Sequence, residues 1–250
     1  MRSKVSIQNL TMSYYLKDRV VTALKGINLE IADGEFLVVV GLSGCGKTTL
    51  LNILAGFLSP TDGEILLDGK PIAQVGLMNR GVVFQEYALF PWRTALQNVE
   101  FGLEMKGVAR NKRREIALKY LDLVHLAKFT DIYPHHLSGG MKQRVAVARA
   151  YAYEPEFMLM DEPFGALDAQ TRESLQALTV EVWQKTRKTI FYVTHNIGEA
   201  VYLADRIIVL TGQPGRIHRE ILVDLPRPRD AFDPRCIELE HDTTRAVRQG

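Results

Sequence analysis

The strongest constraint on this chain is a glycine-rich run set between two apolar segments. Gly41, Leu42, Ser43, Gly44, Cys45, Gly46, Lys47, Thr48 and Thr49 follow the apolar residues 36–40 and open the amphipathic stretch 49–55. A strand, a glycine-rich turn and a helix start, in that order, make a phosphate cradle. Glycines let the backbone curl so that several N–H groups point at one anion, and the helix dipole adds partial positive charge. Lys47 is then placed to reach the outer phosphates, and the Thr48 hydroxyl to hold a magnesium ion. An ordinary glycine-rich loop would require neither the strand before it nor the helix after it. The pattern implies a nucleoside triphosphate bound with Mg2+.

The bulk numbers narrow the partners. A chain of 250 residues buries a substantial core, as one large domain or two small ones. Lys and Arg total 31 against 29 Asp and Glu, so no global field demands nucleic acid or an acidic surface. The basic cluster 110–114 is expected on a solvated helix face, with no nucleic-acid contact. Two cysteines, Cys45 and Cys236, cannot build a disulfide framework, and a reduced, cytosolic compartment fits them. The N-terminus lacks an apolar signal core, and no apolar run approaches the ~20 residues that span a bilayer. The chain is not expected to cross a membrane itself.

Along the chain, residues 5–10 and 27–31 are predicted strands, and Asp33 with Gly34 is a hairpin-type turn into strand 36–40. Short strands follow at 63–67 and 81–84. From about Thr94 the apolar period becomes helical, over 96–105, 112–126 and 140–153. Strands at 157–160, 189–193 and 207–210 then alternate with helices at 169–186 and 197–204, and 217–225 closes the series. Such alternation argues for a mainly parallel sheet, interrupted by a block of helices at roughly 87–154. There are no repeats and no low-complexity tract.

A phosphate loop needs a partner strand ending in a carboxylate. Phe157, Met158, Leu159 and Met160 precede Asp161 and Glu162, which puts Asp161 at the carboxyl end of a buried strand, where open α/β sheets collect ligands. Asp161 would hold magnesium through the metal's water shell. Glu162 projects differently and can polarise an attacking water; the competing reading is that the pair merely begins a turn before Pro163. Leu137, Ser138, Gly139 and Gly140 precede a further helix and read as a second anion-binding helix start with a serine hydroxyl; the competing reading is a helix simply capped by Ser138. One triphosphate does not need two such cradles from one molecule.

With these motifs together, the chain resembles the ATP-binding subunit of ABC transporters over almost its whole length. The resemblance implies an α/β P-loop NTPase (RecA-like) core, built from residues 1–86 and 155–225. An N-terminal antiparallel β subdomain, an inserted helical subdomain at 87–154 and a C-terminal tail at 226–250 complete one domain. It implies ATP hydrolysis in a head-to-tail dimer, in which Ser138, Gly139 and Gly140 of one subunit close over ATP held by the phosphate loop of another. Gln85 is then expected to contact magnesium and the attacking water, Asp168 to cross the interface, and His195 to contact the γ-phosphate. Tyr14 is the expected adenine-stacking aromatic, with Tyr15 the alternative. The magnesium set is Thr48, Gln85 and Asp161, and the catalytic set is Glu162 as base with His195, Gln85 and Lys47.

The aromatic loop containing Tyr87, Phe90 and Trp92 is expected to line the groove that receives an integral-membrane permease. The dimer partner is a second copy or a homologous ATPase subunit, and a solute-binding protein acts indirectly. The expected place is the cytoplasmic face of the inner membrane, held peripherally. Phe164 and Ala166 resemble the importer branch. Pro91 to Arg93, 186–189, 213–216 and 224–229 are similar to the nitrate/sulfonate/taurine ATPases. An exporter subunit or a soluble ABC ATPase is the alternative. Asn196, where the family usually has Asp, and His136, where Gln is common, are departures.

Overall fold

The computed structural model describes residues 3–76 and 79–250; residues 1, 2, 77 and 78 of the expected 1–86 portion lie outside the described residues. Apolar runs without alternation become the centre of a six-stranded sheet. β3 (Phe36–Val40), β7 (Phe157–Asp161) and β8 (Thr189–Val193) are buried throughout, apart from Asp161 at the tip of β7. Parallel strands covered on both faces require such sequences. With β6 (Arg80–Val83), β9 (Arg206–Thr211) and β10 (Arg216–Leu222) they form the order β10-β9-β3-β8-β7-β6. Every pairing is parallel except β10 on β9.

Successive side chains of these strands enter opposite layers. Phe36, Val38, Val40, Met158, Met160, Ile190 and Tyr192 join one apolar cluster with most of the helices. Leu37, Val39, Phe157, Leu159, Phe191 and Val193 join a second, shared with α1 (Lys47–Ala55) and an antiparallel sheet. Each fully buried side chain of this kind stabilises by roughly 1.5–3 kcal/mol, so the sheet is a rigid base for the loops at its edge.

The antiparallel sheet has the order β2-β1-β4-β5, from β1 (Ser3–Tyr15), β2 (Val20–Ala32), β4 (Asp62–Leu67) and β5 (Lys70–Pro71). β1 and β2 run well beyond the predicted 5–10 and 27–31. Register shifts between Ile7 and Leu10, Leu10 and Met12, and Met12 and Ser13 break the period-two signal that would have shown their length. The turn at 33–34 corrects another expectation. It is tight, with Gly34 at φ 75° and Glu35 N–H donating to Ala32 O at 3.2 Å. The strands that it joins nevertheless pair in different sheets, so it is no hairpin. β3 is apolar on both faces and is drawn between β8 and β9, away from β2.

Between β6 and β7 lie α2 (Ala95–Met105), α3 (Arg110–Leu123) and α4 (Gly139–Ala152). Thr94 and Gln97 close a reciprocal capping box on α2. The second predicted helix, 112–126, begins and ends earlier, and His125 stands at φ 60° beyond its end. α5 (Ala169–Thr186) and α6 (Ile197–Leu203) complete the crossovers.

Residues 226–250 are not a bare tail. α7 (Pro234–Gln249) buries Cys236, Thr243, Ala246 and Val247 against α6 and β9. Ahead of it, the nearly buried Arg229 donates to the carbonyls of Val201, Tyr202 and Ala204 at the end of α6, and of Val223 and Leu225. Burial first, then neighbouring Arg227, pull its guanidinium down to about 10. Both cysteines are free and buried. Among the described residues no helix is long and apolar enough to cross a membrane.

Candidate functional site

Four neighbouring parallel strands point their carboxyl ends at one place, and each is followed by a polar loop. β3 leads into 41–47, β8 into His195, β7 into Glu162 and β6 into Gln85. That edge is where open α/β sheets bind ligands.

In the first loop, α1 begins at Lys47 behind Gly46, which stands at φ 96° with no side-chain cap and no acidic residue in the first turn. Its leading N–H groups are therefore left for an anion. Only glycine fits at 46: a Cβ would meet Leu24 Cδ2 at 2.6 Å and Ala23 O at 3.0 Å, in a backbone region that side chains avoid. Lys47, 6% exposed, curls over the loop and donates from Nζ to Gly41 O (2.9 Å) and Leu42 O (3.1 Å). The outer wall comes from 170 residues away. Gly215 N–H donates to Ala23 O at 2.9 Å, and a Cβ at 215 would stand 2.0 Å from Cys45 O.

On the opposite wall, Thr48 Oγ1 donates to Asp161 Oδ1 at 3.4 Å. Burial, then the charge of Glu162, raise Asp161 above its usual range. A hydroxyl and an over-negative carboxylate converging here suit magnesium, which takes hard oxygen donors and completes its shell with water and phosphate. Glu162 stands at φ 42°, a left-handed conformation that strains a non-glycine residue. Its N–H donates to Val193 O (2.9 Å), its carbonyl accepts from Gly165 N (3.1 Å), and its Oε2 lies 2.7 Å from His195 Nδ1. The strain is held where a reacting carboxylate would have to be aimed.

One cleft of about 360 Å³ gathers Ser43, Gly44, Gly46, Lys47, Thr48, Thr49, Glu162 and His195, a size within the range of small-molecule sites. Ala23 also lines it, a small residue on β2 with no sequence signal. Gly41, Leu42 and Cys45 shape the loop from behind, Cys45 buried and Leu42 exposed. The exposed Gln85 does not line this cleft; a Cβ on Gly165 would stand 3.5 Å from its Nε2 and 3.8 Å from Glu162 Oε2. Tyr14 is half-buried with its hydroxyl 3.4 Å from Thr49 Oγ1, whereas Tyr15 is 73% exposed. Asn196 caps α6, its Oδ1 accepting from Glu199 N at 3.0 Å.

Ser138, Gly139, Gly140 and Asp168 do not line this cleft. Ser138 caps α4 by accepting from Met141 N at 3.3 Å, and Asp168 caps α5 by accepting from Thr171 N at 2.9 Å. Those bonds with Thr171 hold the Asp168 carboxyl below its usual range. Arg172 fixes the turn between Glu162 and Asp168, donating to Leu167 O (2.8 Å) and Phe164 O (3.4 Å). Elsewhere, an apolar groove of about 270 Å³ is lined by Phe57, Phe90, Phe101 and Met105, among others. Phe90 packs 4.5 Å from Phe101 and 5.7 Å from Trp92, which is 71% exposed; Tyr87 is half-buried.

The sequence profile of the family described as ABC transporter matches residues 24–165, more than half of the chain. The nitrate import ATP-binding protein NrtD of Synechocystis sp. is 45% identical over 95% of this chain and 89% of its own length. The taurine import ATP-binding protein TauB of Burkholderia pseudomallei is 46% identical over 90% and 86%. A dimeric structure of the ATP-binding cassette MJ0796 bound to ADP and Pi superposes with a TM-score of 0.77 at 36% identity, over 89% of this chain and 100% of that one.

Proposed function

The chain belongs to the ABC transporter family, and from that premise we propose that it hydrolyses ATP to drive import of a small solute through a separate membrane permease. It is an ATPase of the α/β P-loop class. The observation that carries the mechanism is the strained Glu162 held 2.7 Å from His195 in the cleft of the phosphate loop.

In this reading the N–H groups at the start of α1 and the Lys47 ammonium bind the β- and γ-phosphates of ATP. Thr48 and Asp161, with Gln85, would hold the metal. Magnesium when bound supplies charge neutralisation for the transferred phosphoryl group. Glu162 Oε2 takes the proton of the attacking water, and His195 keeps that carboxylate and the γ-phosphate in line. Tyr14, tethered to α1, stacks on adenine, with Tyr15 as the alternative. Ser138, Gly139, Gly140 and Asp168 serve the cleft of a second subunit, which accounts for their absence from this one. The dimeric structure of the MJ0796 cassette supports an assembly of two subunits.

The groove beside Phe90, with Tyr87 and Trp92 near it, receives a segment of the permease, which keeps the subunit on the cytoplasmic face of the inner membrane. Relatives named for nitrate and taurine stand at 45% and 46% identity, so these similarities do not single out one solute. The class is nitrate, sulfonate, taurine or a related small solute. No observation favours an exporter or a soluble ABC ATPase. Glu162→Gln tests the mechanism: hydrolysis should fall by about a hundredfold or more while ATP binding persists and a dimer accumulates. Hydrolysis at the parental rate would remove Glu162 from the role of base.

A further inference from the structure

The loop after β6 touches α4 at two places ten residues apart. At one end, Arg149 donates from Nη1 to Ala88 O (2.6 Å) and from Nη2 to Tyr87 O (3.1 Å). At the other, the Tyr87 hydroxyl lies against Gly139: a Cβ there would stand 2.9 Å from Tyr87 Oη. Residues 139 and 149 are about 15 Å apart along an α-helix. An arginine leaning toward the helix N-terminus and a tyrosine continuing in the same direction from the arginine's head to Gly139 span that gap together. Ala88, at the Arg149 end, stands at φ 47°, a left-handed backbone that alanine does not adopt unaided. Two charge-assisted bonds from one guanidinium hold it there.

The same guanidinium lies 5.9 Å from the Phe90 ring centroid and lines the apolar groove with it. Burial pulls Arg149 below its ordinary range, and among the described residues only carbonyl oxygens accept its hydrogen bonds. A cation kept at the wall of an apolar groove without a carboxylate is costly. Its position is explained by what it holds.

We propose that Arg149 is a positioning residue for hydrolysis, locking the loop at 87–88 to the helix that begins with Gly139, so that a displacement of the groove wall reaches Ser138 as movement of one rigid piece. This rests on the reading of the groove as the permease site. The test uses the assembled transporter in vesicles and the chain alone. Arg149→Met keeps the apolar stem against Phe90 and removes both donors. The complex should still assemble, with KM for ATP within about twofold, while the ratio of complex-bound to free ATPase rate falls about tenfold. Arg149→Lys should restore only part of the ratio, because an ammonium lacks the fork that serves two carbonyls.

A ratio at the parental value overturns the proposal. So does an equal fall of both rates, which marks a stability role, and so does failed assembly, which makes Arg149 a docking contact. Should Arg149→Met not fold, Tyr87→Phe removes only the hydroxyl on Gly139 and must also lower the ratio; an unchanged ratio overturns the proposal. The groove reading fails separately if Phe90→Asp assembles with the permease as well as the parent does.

Discussion

Asp161 is a carboxylate that the fold makes uncomfortable. Burial, and next the neighbouring Glu162, raise it above its unfolded value of 3.8. A raised folded-state value means that its contribution to stability is fully present below about pH 3.8 and is lost as pH rises through the folded value. At neutral pH the ionised group therefore weighs against the fold, and a bound cation relieves it. Asp161→Asn should raise the melting temperature of the nucleotide-free chain at pH 7 by about 2–4 °C. The gain should shrink toward pH 4, and the stabilisation by magnesium and ATP should disappear. A variant that melts below the parent at pH 7 would show that Asp161 supports the fold instead. Asn196 differs from the usual family Asp, yet its amide oxygen caps α6 as a carboxylate would.

At the scale of elements, α4 shows one residue in two jobs. Ser138 caps the helix within its own chain and is proposed to meet phosphate in the partner's cleft. Ser138→Ala should cost about 1 kcal/mol of stability. Ser138→Asp should keep the cap and the melting temperature but repel phosphate and abolish ATP-driven dimerisation. If Ser138→Asp dimerises with ATP like the parent, the serine is a cap and nothing more. What was legible beforehand follows the same logic. β3, β8 and α5 matched their predicted spans, because uninterrupted apolar runs mark the two strands and an 18-residue stretch free of glycine and proline, capped by Asp168, marks the helix. The phosphate loop was legible because its chemistry is local. β1 and β2 were undersized because their bulges disrupt alternation. Arg149 and Ala23 were invisible, since their partners are backbone carbonyls and a cleft wall, neither of which leaves a mark on sequence.

At the scale of the whole molecule, the C-terminal helix belongs to the core. α7 went unread because its buried positions are few, and two of them are Cys236 and Thr243. Removing 234–250 takes Cys236, Ala246 and Val247 out of the apolar cluster and uncovers the faces of α6, β9 and β10 that α7 covers. At roughly 1.5–3 kcal/mol for each large side chain left exposed, the truncated chain should melt at least about 10 °C lower. Thermal unfolding followed by circular dichroism measures this, and a shift under 2 °C would make α7 dispensable.

The seam at Gly215 has a temporal consequence. The phosphate loop is made early in translation, but the wall that holds Cys45 and Ala23 in place is made 170 residues later. At ribosomal speeds that interval is roughly 10–35 s. Throughout it, a nascent chain displays its nucleotide cradle without the seam that Gly215 closes on Ala23 and Cys45.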